Sequence, residues 1–296
     1  MPPAVANEPW TVKRLLTSTQ EFLAKKGADS SQLAAQMLVG HVLGLSRIQL
    51  YTNFERIPTD DERAKLRDLV RRAGEHEPVQ YLVGKAGFFS LELEVTRDVL
   101  IPRPDTETLV DAVLRRIKLE GKSAEPLRIA DLCTGSGAIA VALASQLPAA
   151  TFVATDTSDA ALSVAKRNVE QLGYGDRIDC RLGDLAEPLG SETFDLVTAN
   201  PPYIPSADVD QLDRNVRDFE PRAALDGGAD GFDLHRRLLA EAPAVLAADG
   251  RLYVEMQFDQ GDRLKALATE ASWRDVRALA DLEGRDRVLE ATRPAA

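Results

Sequence analysis

Sulfur, imidazole and aromatic side chains are scarce in this chain of 296 residues. It has two cysteines, three histidines, three methionines and two tryptophans, and Phe, Tyr and Trp together make up 5%. Two cysteines cannot build a disulfide framework, and their spacing is not that of a zinc ligand set. Cys133 and Cys180 both fall in strand patterns and are expected as buried free thiols of a reducing, cytoplasmic compartment. His41, His76 and His235 are scattered, so no metal site is expected. No apolar run is long enough to span a membrane. The stretch from Met1 to Trp10 is rich in proline and alanine but lacks the basic-then-apolar order of a signal peptide, and residues 1–10 are expected to be disordered. Internal repeats and low-complexity tracts are missing as well. So is a basic excess: the net charge is −11. Residues 1–100 balance 13 basic against 13 acidic side chains, so the remaining 196 hold 23 and 34. Such an acidic body speaks against DNA or RNA as a direct substrate, because phosphates need cations, and fits a basic protein partner.

What is present begins with Asn200-Pro201-Pro202-Tyr203. It follows the apolar run Phe194 to Ala199, which reads as a buried strand. Two prolines cannot continue a ladder, and they drive the residue before each of them into extended geometry. The result is a rigid strand-end loop. Asn200 offers one carbonyl acceptor and two donors, and Tyr203 an aromatic face with a hydroxyl. That set suits a planar –NH2 group. The Asn200 side-chain oxygen and the Pro201 backbone oxygen can accept its two hydrogens, Tyr203 can stack on its plane, and Pro202 keeps the loop stiff.

Upstream stands a nucleotide-type turn. Leu127 to Cys133 reads as a strand, and Thr134-Gly135-Ser136-Gly137 then opens a helix. Glycines at such a turn let backbone approach a ligand without a Cβ in the way. The next strand, Thr151 to Thr155, ends in Asp156, where an acid can hydrogen-bond the two hydroxyls of a ribose. The spacing Gly135-x-Gly137-x-x-Ala140 also suits an NAD-dependent oxidoreductase. Two details point elsewhere. Asp131, just before the glycines, can orient the loop or meet a cationic amino-acid tail but sits poorly beside a pyrophosphate. Asn-Pro-Pro-Tyr ends what counts as the fourth strand, across from the ribose position.

This combination resembles the class I S-adenosylmethionine-dependent methyltransferases, in the branch that methylates planar nitrogens. Further segments resemble the release factor glutamine methyltransferases: Pro78 to Gly84, Phe88-Phe89, Leu100 to Glu107 (Leu-Ile-Pro-Arg-Pro-Asp-Thr-Glu), Phe219-Glu220-Pro221-Arg222 and Asp226-Gly227-Gly228. The likeness runs from about Trp10 to Val288. It implies an α/β fold: a seven-stranded, Rossmann-like methyltransferase domain with a reversed last strand, and a small N-terminal all-helical domain joined to it by a β-hairpin. It implies S-adenosylmethionine as cofactor and the glutamine of a Gly-Gly-Gln loop in peptide chain release factors as substrate. Cofactor contacts would come from Asp131, from Cys133, Thr134, Gly135, Ser136 and Gly137, from Asp156, from Asp184 and Leu185, and from Asn200. The catalytic set would be Asn200, Pro201, Pro202 and Tyr203. Arg103, Glu107 and the Phe88-Phe89 pair would shape the substrate entrance, although for the phenylalanines simple core packing is the favoured reading. Two departures stand out. Leu185 replaces an aromatic after Asp184, so apolar packing substitutes for stacking there, and Glu255-Met256-Gln257 lacks a glycine often found in that turn. The same –NH2 chemistry would serve a glutamine of a ribosomal protein or the exocyclic amine of adenine in nucleic acid.

The expected organisation is a helical, substrate-docking domain over 11–84, a hairpin linker over 85–100 and the methyltransferase domain over 101–296. Helices are expected at 12–26, from 30 or 31 to 43, and at 59–72, the last opened by the capping box Thr59-Asp60-Asp61-Glu62. From Asp105 strands at 127–133, 151–155, 177–182, 194–199, 250–255, 273–279 and 285–291 alternate with helices at 105–119, 137–146, 158–172, 231–248 and 259–270. Alternation of that kind implies a parallel sheet covered on both faces.

Overall fold

A computed structural model of the chain describes residues 9–28 and 30–295. Residues 1–8, most of the segment expected to be disordered, lie outside the described residues. The chain divides into two compact units, Met1–Gly84 with Arg214–Phe219, and Lys85–Asp213 with Glu220–Ala296.

The first unit is helical: Val12–Lys25, Ser31–Leu43, Arg47–Thr52, Asp60–Gly74 and Val79–Val83, with the short Arg214–Arg217 turn. Three of its helices start on capping side chains, Thr11, Ser46 and Thr59, whereas Ser30 makes no side-chain cap bond. Thr59 accepts from the Glu62 amide at 3.2 Å while the Glu62 carboxylate takes the Thr59 amide at 2.8 Å, and Ser46 with Gln49 repeats the arrangement. Gly44 ends the second helix in the left-handed conformation. Val12, Leu23, Leu38, Val39, Leu50, Leu66 and Leu82 close a core from five helices. Two of those helices, Arg47–Thr52 and Val79–Val83, escape sequence periodicity because each spans less than two turns.

The second unit carries the site. Its hairpin, β1 (Lys85–Phe88) and β2 (Leu91–Glu94), is antiparallel. Then come β3 (Arg128–Leu132), β4 (Thr151–Asp156), β5 (Ile178–Leu182), β6 (Phe194–Ala199), β7 (Leu246–Glu255), β8 (Arg274–Ala280) and β9 (Asp286–Thr292). Sheet order is β5-β4-β3-β6-β7-β9-β8. The first five strands are parallel, and β9, the last in sequence, lies antiparallel between β7 and β8. One face is covered by Glu107–Leu119, Ala138–Gln146 and the hairpin, where Phe88, Leu93, Leu109, Val113, Ile129 and Leu143 share a core. The other face packs Asp233–Val245 and Gly261–Glu270 over Leu132, Val197, Leu252 and Leu289.

The hairpin is therefore part of the second unit and not a free linker. Asn168, 1% exposed, fastens it: its side chain accepts the Glu94 amide at 2.7 Å and donates to the Glu94 carbonyl at 3.0 Å. The segment 214–219 is the other departure, because it groups with the helical unit although the sequence sets it inside the methyltransferase domain.

Candidate active site

A cavity of about 520 Å³ opens at the carboxyl ends of β3, β4, β5 and β6. The strand order reverses at β3, with β4 on one side and β6 on the other, and that is where open α/β sheets bind ligands.

Its floor is the glycine turn. Cys133 leaves β3 with φ +57°, Gly135 follows at +54° and Gly137 caps the helix Ala138–Gln146 at +81°. A Cβ built on Gly135 would meet nothing within 4 Å, because the turn there faces the cavity. Cys133, Thr134, Gly135 and Ser136 line the wall, and Gly137 stands behind it. Asp131 does not reach the cavity. It is fully buried and accepts the hydroxyls of Thr134 at 2.6 Å and Thr198 at 2.8 Å, so it ties the turn to β6. Of the two roles open to it in the sequence, the geometry gives the first, orienting the loop. Burial pushes its carboxyl up to about 6 against the pull of these hydrogen bonds. Asn168, which no motif marks, adds a third tie by donating to the Ser136 carbonyl at 2.9 Å.

Asp156 ends β4 on the cavity wall. Its carboxylate accepts the Gly135 amide at 2.9 Å and the Ser158 amide at 2.9 Å. Burial raises its carboxyl above the ordinary range, and the backbone amides oppose that. Beyond it, Asp184 pairs with Arg237 at 3.0 Å, and Leu185 is buried with φ +46°, its carbonyl held by the Thr155 hydroxyl at 3.0 Å. All three, with Ile139 and Ala161, line this end. Arg237 lies on a helix with no motif to announce it, so the sequence could not pair it with Asp184. Cys133 and Cys180 are free thiols as expected but half-buried, and burial raises both above the ordinary thiol range.

Opposite stands Asn200-Pro201-Pro202-Tyr203. Asn200 and Pro202 line the cavity; Pro201 and Tyr203 are not on its wall. The Asn200 Nδ2 donates to Thr106 Oγ1 at 3.2 Å, so its Oδ1 is left as an acceptor. The Tyr203 hydroxyl turns away and donates to Glu255 Oε1 at 3.2 Å. This bond anchors the end of the loop to the last residue of β7. The Asp226-Gly227-Gly228 segment braces the same loop. Ile204 donates to the Leu225 carbonyl at 3.0 Å and the Gly227 amide to the Ile204 carbonyl at 2.8 Å. A Cβ on Gly227 would lie 2.7 Å from the Tyr203 Cα and 2.8 Å from the Pro202 carbonyl, so only glycine allows this approach. Without the glycine often found there, the Glu255-Met256-Gln257 turn leads to Gln260, whose Nε2 holds the Tyr203 carbonyl at 2.9 Å.

Arg103 lines the rim and pairs with Glu220, a side chain wholly out of solvent that also accepts the Ile101 amide at 3.4 Å. This explains the two distant segments 100–107 and 219–222: one buried ion pair fastens them together. Phe88 and Phe89 do not line the cavity; Phe88 sits in the core, and Phe89 packs beside it, its amide donating to Glu107 at 2.8 Å. Core packing, not the entrance, accounts for the pair, and Glu107 is a partner of that turn.

A parallel sheet with a reversed last strand, a glycine turn over a carboxylate at the next strand end, and Asn-Pro-Pro-Tyr facing them define a class I methyltransferase. The comparisons with known proteins narrow the class. A family model described as the PrmC N-terminal domain matches residues 14–84, and one described as the methyltransferase small domain matches residues 111–215. The release factor glutamine methyltransferase of Geobacter sulfurreducens is 41% identical over 95% of this chain and 96% of its own. That of Rhodopirellula baltica is 41% identical over the same shares. Among solved structures, the catalytic domain of hMettl16 in complex with a MAT2A 3′UTR hairpin shares the fold at TM-score 0.54 and 18% identity, covering 70% of this chain and 77% of that one. The chain belongs to the release factor glutamine methyltransferase family.

Proposed function

We propose that this protein transfers a methyl group from S-adenosylmethionine to the side-chain amide nitrogen (N5) of the glutamine in the Gly-Gly-Gln loop of peptide chain release factors, in the cytoplasm. The observation that carries the reading is Asn200: its amide nitrogen is engaged by Thr106, and its oxygen remains an acceptor on the cavity wall. The residues fit the cofactor. A glycine turn without a Cβ toward the cavity, a carboxylate at the second strand end and an apolar end at Leu185, Ile139 and Ala161 match an amino-acid tail, a ribose and a base in a volume usual for such ligands. S-adenosylmethionine, when bound, supplies an electrophilic methyl group on a sulfonium sulfur that leaves as a neutral thioether.

The remaining work falls to the protein. An amide lone pair is delocalised, so the nitrogen attacks only if the charge growing on it is met by fixed acceptors. Asn200 Oδ1 would accept one of the two N–H groups on the cavity wall; the Pro201 carbonyl, the second expected acceptor, belongs to a residue off that wall, and the prolines keep the loop stiff. Cys133 to Gly137 would hold the amino-acid tail, with Asp131 fixing that turn from behind. Asp156 would take the ribose hydroxyls, and Asp184 with Leu185 the adenine. Residues 11–84 would dock the body of the release factor. An acidic body of the catalytic unit supports a protein over a nucleic acid as partner.

The test is incubation of purified release factor with the protein and S-adenosylmethionine. One added methyl on the Gly-Gly-Gln glutamine is expected, and its transfer to a ribosomal protein or to DNA instead would overturn the choice of substrate.

A further inference from the structure

One residue of the cavity wall has no part in the chemistry above. Arg237 lines the end beyond Asp156, where Asp184 follows β5. It stands on the helix Asp233–Val245, which covers one face of the sheet, and Leu234, three residues before it, lines the cavity too. Ile139 comes from the helix Ala138–Gln146 on the opposite face. This end is therefore bounded by two layers, Ile139 from one and Leu185, Leu234 and Arg237 from the other.

What these walls lack is a ring. None of the described residues lining the cavity is Phe, Tyr, Trp or His. Aliphatic side chains can cover a base, but they add no specific attraction to its π-face. Two cations line the cavity among the described residues, and Arg103 is tied to Glu220 at the rim. Arg237 is the one beside Asp184.

The edges of the Arg237 guanidinium are already held. Nη1 donates to Asp184, 3.2 Å from Oδ1 and 3.0 Å from Oδ2, while Nε and Nη2 each lie 3.0 Å from Glu241 Oε1. All five N–H groups of a guanidinium lie in its plane. Carboxylates on both edges thus fix that plane, and the faces, which carry no donors, are the part left to meet a ligand. A guanidinium face stacks on aromatic rings and on nucleobases. Asp184 and Glu241 also balance the charge that a lone arginine would bring near a sulfonium.

Resting on the function proposed above, we propose that Arg237 is a cofactor-binding residue: its guanidinium plane stacks on the adenine of S-adenosylmethionine, in place of the ring that this cavity does not contain. Asp184 and Glu241 hold the plane, and Ile139 closes the opposite side of the base. Arg237 meets the base and not the reacting atoms, so its loss belongs in binding.

Calorimetric titration with S-adenosylhomocysteine tests this without turnover. Arg237→Lys keeps the charge and can keep the ion pair with Asp184 but has no plane, whereas Arg237→Ala removes charge and plane together. Both are expected to weaken Kd at least ~5-fold, the effect of a partly desolvated cation on a π-face. A smaller loss in either variant overturns the proposal, and a wild-type Kd in Arg237→Lys would assign the residue to the ion pair alone. The Arg237 side chain is 44% exposed, so both variants should fold, as melting temperatures will show; if one does not, the other decides. In turnover the loss should fall on the KM for S-adenosylmethionine and not on kcat, and the reverse contradicts the assignment. A wild-type protein that does not bind S-adenosylhomocysteine strikes the proposed function and this inference together; wild-type binding with unweakened variants strikes the inference alone.

Discussion

In the proposed reaction Asn200 is the residue on which the chemistry turns. Replacing it by alanine removes a preorganised acceptor, and a single group of that kind is worth on the order of 10²- to 10³-fold in kcat. Asn200 also counts among the expected cofactor contacts, so calorimetric titration of Asn200→Ala should show a loss of cofactor affinity far smaller than the loss in kcat, because the glycine turn and Asp156 remain. Glu255 carries a separate signature in stability. Burial is the main influence on it and pushes its carboxyl up to about 7; the hydrogen bond from Tyr203 and the charge of Arg287 pull the other way, and Asp105 adds to the rise. The unfolded chain releases that proton near the ordinary 4.5, so between about 4.5 and 7 the folded protein holds more protons than the unfolded one. Its contribution is thus fully present below 4.5 and is lost as pH rises through 7. Glu255→Gln has no such proton. The stability of wild type relative to the variant should therefore fall across this window, by on the order of 3 kcal/mol. Urea midpoints at several pH values check it, and a constant or growing difference contradicts it.

At the scale of elements, the sequence makes the long pieces legible and hides the short ones. Most of the sheet strands and the flanking helices are legible as short apolar runs or a 3.6-residue period, whereas β8 and β9, with charged residues inside them, rest on the family's seven-stranded sheet. The reversal of β9 is not in any local pattern; it follows from pairing across the sheet and entered only through family resemblance. Among site residues, strand-end motifs were readable because glycine and proline leave unmistakable local constraints. Asn168 and Arg237 were not, since a polar residue on an otherwise amphipathic helix looks like any solvated position until the partner strand is known. The buried Glu255 that holds the Tyr203 hydroxyl is 52 residues away, and no local pattern announces the pair. The Asp226-Gly227-Gly228 brace yields the prediction proper to this scale. A methyl group on Gly227 would press on the backbone of Pro202 and Tyr203, which cannot yield as a flexible side chain would. Gly227→Ala should destabilise by about 1–3 kcal/mol and lower kcat with little change in cofactor affinity. Calorimetric melting and single-turnover rates would expose a tolerant site, which the account does not allow.

For the whole molecule, charge is the term that remains. The excess of 34 acidic over 23 basic side chains lies beyond residue 100, while residues 1–100 are balanced. A basic partner is drawn to such a body by long-range attraction that salt screens, with a Debye length of about 10 Å at 0.1 M. Raising ionic strength from 50 to 500 mM should raise the KM for intact release factor several-fold and leave that for a short Gly-Gly-Gln peptide nearly unchanged. Equal responses would mean that the acidic surface takes no part in recognition. All of this presupposes the reaction itself, and one measurement tests that directly. Release factor incubated with S-adenosylmethionine and either wild-type protein or Asn200→Ala is digested and its peptides weighed. The account predicts a single added methyl on the glutamine of Gly-Gly-Gln with wild type and almost none with the variant. A methyl elsewhere, or equal methylation by both proteins, contradicts it.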